Sequence, residues 1–296
     1  MQSGVSRAAK RREESMREVD ARPRRPKLVF IAGLTHSGTT LLDSRLGAVR
    51  NMVGLGEVVA LLTTKGSKLT EEDRTCSCGA AIDECPFWSR VKDNQEKLRD
   101  APFEQRYTDL LEVFFEVFGE TAIPVDSSKT VKALKRVASI DGVDVSVLHL
   151  VRDVRGWVVS RRDVDLRRRR EGKEFPGRLW GNAFSRFLVW YYGNKQINAV
   201  SEELQLDKLD VSYESLVFNT EEVTESILRH VDPGKRLGEA DESGVVSHIL
   251  LGNRMRTRRS DAIVYDYRWF SRGEWLIPSV VFPWVMSYNK KRVYSS

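Results

Sequence analysis

The 296-residue chain is 41% hydrophobic and 30% charged, with 12 Phe, 8 Tyr and 7 Trp, a composition that excludes a disordered or fibrous protein and supplies a core for one sizeable domain. Its 48 Lys and Arg against 42 Asp and Glu leave a formal charge of +6, which points to anionic partners without choosing among nucleic acid, a membrane surface and a phosphorylated small molecule. No apolar run is as long as a membrane span and the amino terminus lacks the apolar stretch of a signal peptide, so a cytoplasmic protein is the expectation.

In chain order, residues 1–26 mix Arg7, Lys10, Arg11, Arg12, Arg17, Arg22, Arg24 and Arg25 with Glu13, Glu14 and Glu18 and hold almost no large apolar residue. They read as a solvated basic arm ahead of a single domain over 27–296. Lys27-Leu-Val-Phe-Ile-Ala-Gly33 is a short apolar run closed by glycine, the pattern of a buried parallel strand. A small-residue turn over 34–39 and leucines at helical spacing over 40–49 then put strand, glycine loop and helix in direct succession, half of a βαβ unit.

Residues 63–102 are polar, carry the cysteines and read as an insertion; a helix over 103–118 follows. Next come a strand over 122–126, a helix over 130–140 with basic residues outward, a strand over 145–151 and a helix over 154–170 that ends in Arg167-Arg-Arg-Arg170. A helix over 179–200 spaces Trp180, Phe184, Phe187 and Tyr191 by three or four residues, and this stripe is expected to face the core. A strand over 208–213 and a helix over 222–230 complete the pattern. The alternation predicts an α/β fold, a parallel sheet covered by helices on both faces.

Cys76, Cys78 and Cys85 fall within ten residues as C-S-C-G…E-C-P, one ligand short of a closed zinc site and with no histidine nearby in sequence. Structural thiols are the leading expectation, with a local disulfide and a metal site as the alternatives; no metal is expected at the functional site.

The strongest local signal is Gly33-Leu-Thr-His-Ser-Gly38-Thr39-Thr40, which has the glycine spacing of a phosphate-binding loop and the required strand before it and helix after it. Glycines let consecutive backbone N–H groups turn toward phosphate oxygens, and the helix adds the positive end of its dipole. Thr39 occupies the position where a nucleoside-triphosphate hydrolase carries lysine, so the loop suits a diphosphate-like anion without a γ phosphate or Mg²⁺.

Ser37-Gly-Thr-Thr40 resembles the 5′-phosphosulfate loop of the sulfotransferases that use 3′-phosphoadenosine 5′-phosphosulfate (PAPS), with His36 replacing the Lys or Arg usual in that family. A protonated or hydrogen-bonding imidazole is the expected substitute. Leu150-Val-Arg152-Asp-Val-Arg-Gly156 through Ser160 resembles the family's 3′-phosphate site, an Arg and a Ser eight positions apart, which implies that role for Arg152 and Ser160.

The resemblance further implies a P-loop-type fold of the bacterial or Golgi-like branch, with PAPS as co-substrate and a hydroxyl or amine on a small molecule or carbohydrate as acceptor. Gly56-Glu57 stands where Golgi members carry a basic carboxylate, so Glu57 is the expected base. Lys129 in Val125-Asp-Ser-Ser-Lys129 is the expected cation beside the bridging oxygen. Gly252-Asn-Arg254-Met-Arg256 is similar to the late basic loop over the 3′-phosphate, which adds Arg254 and Arg256, and Tyr213-Glu214-Ser-Leu216 resembles a segment that shapes the fold. The acceptor pocket is expected to draw on residues 63–119 and 161–178.

Two other classes stand beside this reading. A P-loop kinase or nucleotide hydrolase is opposed by the missing loop lysine. A non-enzymatic nucleotide- or RNA-binding protein is suggested by the basic arm and Arg167 to Arg170, but no aromatic-plus-basic RNA motif accompanies them, and no nucleic-acid partner is expected.

Overall fold

The computed structural model describes residues 25–49, 51–63, 74–172, 182–233, 247–251 and 264–295. The expectations for the arm over 1–24, for Trp180 and for Arg254 and Arg256 lie outside the described residues.

Five parallel strands form one sheet in the order β2-β3-β1-β4-β5: β1 Lys27–Gly33, β2 Met52–Gly56, β3 Ile123–Lys129, β4 Asp144–Val151 and β5 Asp207–Ser212. β1 is central, and its side chains alternate between the two faces as strand geometry requires. Leu28, Phe30 and Ala32 join one apolar core, Val29 and Ile31 the other. This explains why β1 reads as an unbroken apolar run: both of its faces are covered.

On the second face lie α1 Thr39–Leu46, α8 Tyr213–Phe218 and α9 Thr220–Val231. On the first lie α3 Trp88–Lys97, α4 Phe103–Phe118, α5 Val131–Ala138 and part of α7 Ala183–Glu203, with the short α2 Val58–Thr63 leading away from β2. A third cluster joins α6 Val154–Arg170, α7 and the carboxyl-terminal α11 Pro283–Val293, which follows α10 Leu276–Val281. No described helix is long and apolar enough to cross a membrane.

Two expectations need adjustment. β2 has no counterpart among the predicted strands, because two of its five residues, Gly54 and Gly56, read as turn formers. Gly54 is there because a Cβ would stand 2.3 Å from Asp43 Oδ1 on α1. The aromatic stripe of α7 is displaced by about one residue: Phe187 and Trp190 are fully buried, whereas Phe184 is 39% exposed. Residues 74–102, the described part of the stretch read as an insertion, pack Cys76, Cys85, Phe87, Trp88 and Val91 into the core on the first face of the sheet.

Candidate active site

Because all five strands are parallel, their carboxyl ends meet at one edge, where ligand groups collect in open α/β sheets. The β1–α1 loop turns there through two left-handed residues, His36 at φ 74° and Gly38 at φ 99°. At Gly38 a Cβ would also meet the Tyr213 ring at 2.7 Å, so conformation and packing both demand glycine. The Ser37 N–H closes the turn on the Leu34 carbonyl at 3.0 Å.

α1 begins at Thr39 without a side-chain cap, which leaves its first N–H groups and its dipole available to an anion. Ser37, Thr39 and Thr40 are buried, and the Ser37 hydroxyl has no hydrogen-bond partner among the described residues. A buried hydroxyl left unsatisfied costs about 1–3 kcal/mol, which an anionic oxygen in the loop would recover.

The β4–α6 junction forms the neighbouring wall. Arg152, 5% exposed, donates to the His36 carbonyl at 3.1 Å and to Asp266 Oδ2 at 2.7 Å, and its guanidinium lies 4.6 Å from the centre of the Tyr213 ring. The Trp157 indole donates to the Thr35 carbonyl at 2.8 Å, which fixes α6 against the loop. α6 itself starts on Asp153, whose carboxylate accepts from the Arg155 N–H, Asn289 and Tyr294. A Cβ on Gly156 would lie 3.3 Å from Arg152 Nε, and buried Ser160 follows one turn later on the same helical face. Burial and the cations Arg161, Lys129, Arg152 and Arg168 hold the His36 imidazole down to about 4. With no anion bound, the ring is therefore uncharged at neutral pH.

The third wall joins β2 to β3. Lys129 ends β3 in a left-handed conformation, φ 53°, and its ammonium donates to Glu57 Oε1 just past β2. A non-glycine residue held there carries backbone strain of about 1–3 kcal/mol, an expense met at functional positions. Beneath this ion pair, Asp43 Oδ2 accepts from the Gly56 N–H at 3.1 Å and the Ser127 hydroxyl at 2.6 Å, tying α1 to the ends of both strands. Asp126 accepts from the Tyr107 hydroxyl at 2.8 Å and from the backbone and hydroxyl of Ser128. Burial pushes Asp43 up to about 7 and Asp126 up to about 6.

A profile of the sulfotransferase family matches residues 26–233, from the start of β1 to the end of α9. The chain belongs to the sulfotransferase family. Sulfuryl transfer is thus the general activity that membership of the family supports. Among solved structures the chain is similar to the sulfotransferase domain from the curacin biosynthetic pathway, at 20% identity and TM-score 0.50, covering 71% of this chain and 75% of that one. It is likewise similar to the sulfotransferase domain of the Synechococcus PCC 7002 olefin synthase, at 19% identity and TM-score 0.52, covering 89% of each. No curated protein sequence matches the chain.

In this sulfotransferase fold, P-loop NTPase-like in type, His36, Ser37, Gly38, Thr39, Thr40, Glu57, Lys129, Arg152 and Ser160 all fall on the carboxyl edge of the sheet or on the helices that leave it. Sequence reasoning missed several supporting residues. Asp43 was legible as an acidic residue directly after Leu41-Leu42 in α1, and Arg161 and Arg168 as a pair seven residues apart on one helical face. Tyr213, read as structural, floors the loop at Gly38 and carries the Arg152 guanidinium. Asp266 lies in a segment with no motif to announce it.

Proposed function

We propose that the chain transfers a sulfuryl group from PAPS to a hydroxyl or amine of a small-molecule or carbohydrate acceptor. The observation that carries the reading is the lysine-free glycine loop, whose buried Ser37 hydroxyl has no partner among the described residues and whose His36 carbonyl is held by Arg152, at the same sheet edge as the Glu57–Lys129 pair. The donor set fits a short phosphosulfate: loop amides, three hydroxyls and separate cations, with threonine at the loop position where a γ-phosphate lysine stands in nucleoside-triphosphate hydrolases. Bound there, PAPS supplies the sulfuryl electrophile and a bisphosphate leaving group.

Within that reading Ser37, Thr39, Thr40 and the loop amides hold the 5′ end, and Arg152 with Ser160 holds the 3′-phosphate. Lys129 stabilises charge at the bridging oxygen. Glu57 takes the acceptor proton; Lys129 engages Oε1, so Oε2 is the oxygen for that proton. The deciding measurement is calorimetry with EDTA present, where 3′-phosphoadenosine 5′-phosphate is expected to bind more tightly than ATP. Tighter, Mg²⁺-dependent ATP binding would move the assignment to a kinase or hydrolase.

His36 gives a pH test. A dianion bound beside the imidazole favours its protonated form, so the ring's pKa rises from about 4 on binding and a proton is taken up. The contribution of His36 to nucleotide affinity should therefore grow as pH falls from 7.5 toward 5. The affinity gap between wild type and His36→Asn is expected to widen over that range; parallel pH profiles would rule out a charged role for the ring.

A further inference from the structure

We propose that Cys76, Cys78, Cys85 and His248 bind one structural zinc ion, which pins the segment 247–251 onto β2 and so braces the strand end that carries Glu57. Cys85 Sγ lies 3.1 Å and Cys76 Sγ 3.7 Å from His248 Nδ1, Cys78 Sγ lies 3.9 Å from Cys85 Sγ, and all four ligand atoms fall within 4.8 Å of one another. Tetrahedral zinc with Zn–S of about 2.3 Å and Zn–N of about 2.0–2.1 Å requires S–S edges of about 3.8 Å and S–N edges of about 3.5 Å. The two S–N distances bracket the S–N edge, and the Cys78–Cys85 distance matches the S–S edge to 0.1 Å. All three cysteines are free thiols, which removes the disulfide alternative raised by their sequence spacing.

The chemistry of the set is selective. Three thiolates and an imidazole are soft and borderline donors that suit zinc and disfavour magnesium or calcium. Four protein ligands close the coordination sphere, so the ion has no position for water or substrate and its role is structural. Cys76, Cys85 and His248 are buried, and the imidazole packs against Phe87 and Phe118 at ring distances of 6.3 and 5.3 Å. An aromatic wall of this kind keeps water from the ligand atoms.

The hydrogen bonds around the cluster show what the ion would hold. Ser77, between two of the ligands, donates from its N–H to the Ile249 carbonyl at 3.0 Å and from its hydroxyl to the Ser247 carbonyl at 2.6 Å, while the Ile249 N–H returns to that hydroxyl at 2.8 Å. The Trp88 indole donates to the His248 carbonyl at 2.6 Å. On its other side the segment runs along β2: the His248 N–H reaches the Gly54 carbonyl at 2.8 Å, and Leu251 bridges Gly56 in parallel. The cysteine turn, the strap 247–251 and β2 thus form three layers, and the ion ties the first two together beside residue 57.

The test uses the full-length, tag-free protein and needs neither nucleotide nor turnover, so its outcome is independent of the proposed reaction. Elemental analysis of protein expressed with added zinc should find one zinc per chain, and Co²⁺ exchanged into the site should show thiolate-to-cobalt charge transfer with the absorption of a tetrahedral ion. Cys78→Ser, at the partly exposed ligand, should lower metal affinity by roughly 10²-fold or more and lower the melting temperature, while His248→Cys, which restores four ligands, should retain stoichiometric zinc. A folded wild-type protein with no stoichiometric zinc and no cobalt spectrum would overturn the proposal, as would a Cys78→Ser protein that bound both metals like wild type.

Discussion

Glu57→Gln is expected to lower turnover by about 10² to 10⁴-fold while donor affinity changes little. The substitution keeps the shape of the side chain and one acceptor oxygen, so Lys129 retains a hydrogen-bonding partner; what is lost is the basicity that, in the proposed reaction, takes the acceptor proton as its oxygen attacks sulfur. The measurement is single-turnover sulfuryl transfer to an acceptor found by labelling cell extract with labelled PAPS, beside calorimetry with 3′-phosphoadenosine 5′-phosphate. Lys129→Ala provides the contrast: a cation at the bridging oxygen acts on ground and transition states, so donor binding and turnover should both suffer. Normal turnover in Glu57→Gln would remove the carboxylate from the mechanism.

Arg152→Ala should weaken binding of the 3′-phosphorylated nucleotide by roughly 2–4 kcal/mol, the loss of a charge-assisted contact in a partly dry site. The same guanidinium is bound to Asp266 at 2.7 Å, a carboxylate that a 3′-phosphate must displace or share with. Asp266→Asn should accordingly shift affinity in the opposite direction, toward tighter binding, because the neutral amide competes less well for the guanidinium. Ser160→Ala should cost about 1 kcal/mol, one neutral-donor contact. Calorimetry with the 3′-phosphorylated and 3′-dephosphorylated nucleotides separates these effects from general loss of binding. If Arg152→Ala left the difference between the two nucleotides unchanged, the 3′ site would lie elsewhere.

The strand–loop–helix elements proposed to hold the nucleotide were legible in the sequence because their parts are contiguous. A buried strand, a glycine turn and a helix start follow one another over residues 27–46, and a strand, an arginine and a helix do so again over 144–160. Side-chain periodicity and left-handed glycine conformations are local properties, and they survive in a one-dimensional reading. α4 and α6 span 103–118 and 154–170, the bounds expected from the sequence.

What joins distant residues was decided only by the sheet order. β2 beside β3 brings Glu57 to Lys129 across 72 residues, although β2 itself hides behind two glycines, Gly54 required by the close approach of Asp43 and Gly56 by its left-handed backbone against Leu251. The C-terminal segment brings Asp266 to Arg152 across 114 residues, and the strap along β2 brings His248 to Cys85 across 163, supplying a fourth ligand to a cysteine cluster that looked one short. Local propensity cannot encode such meetings, because each depends on which strand ends lie side by side once both faces of the sheet have been buried.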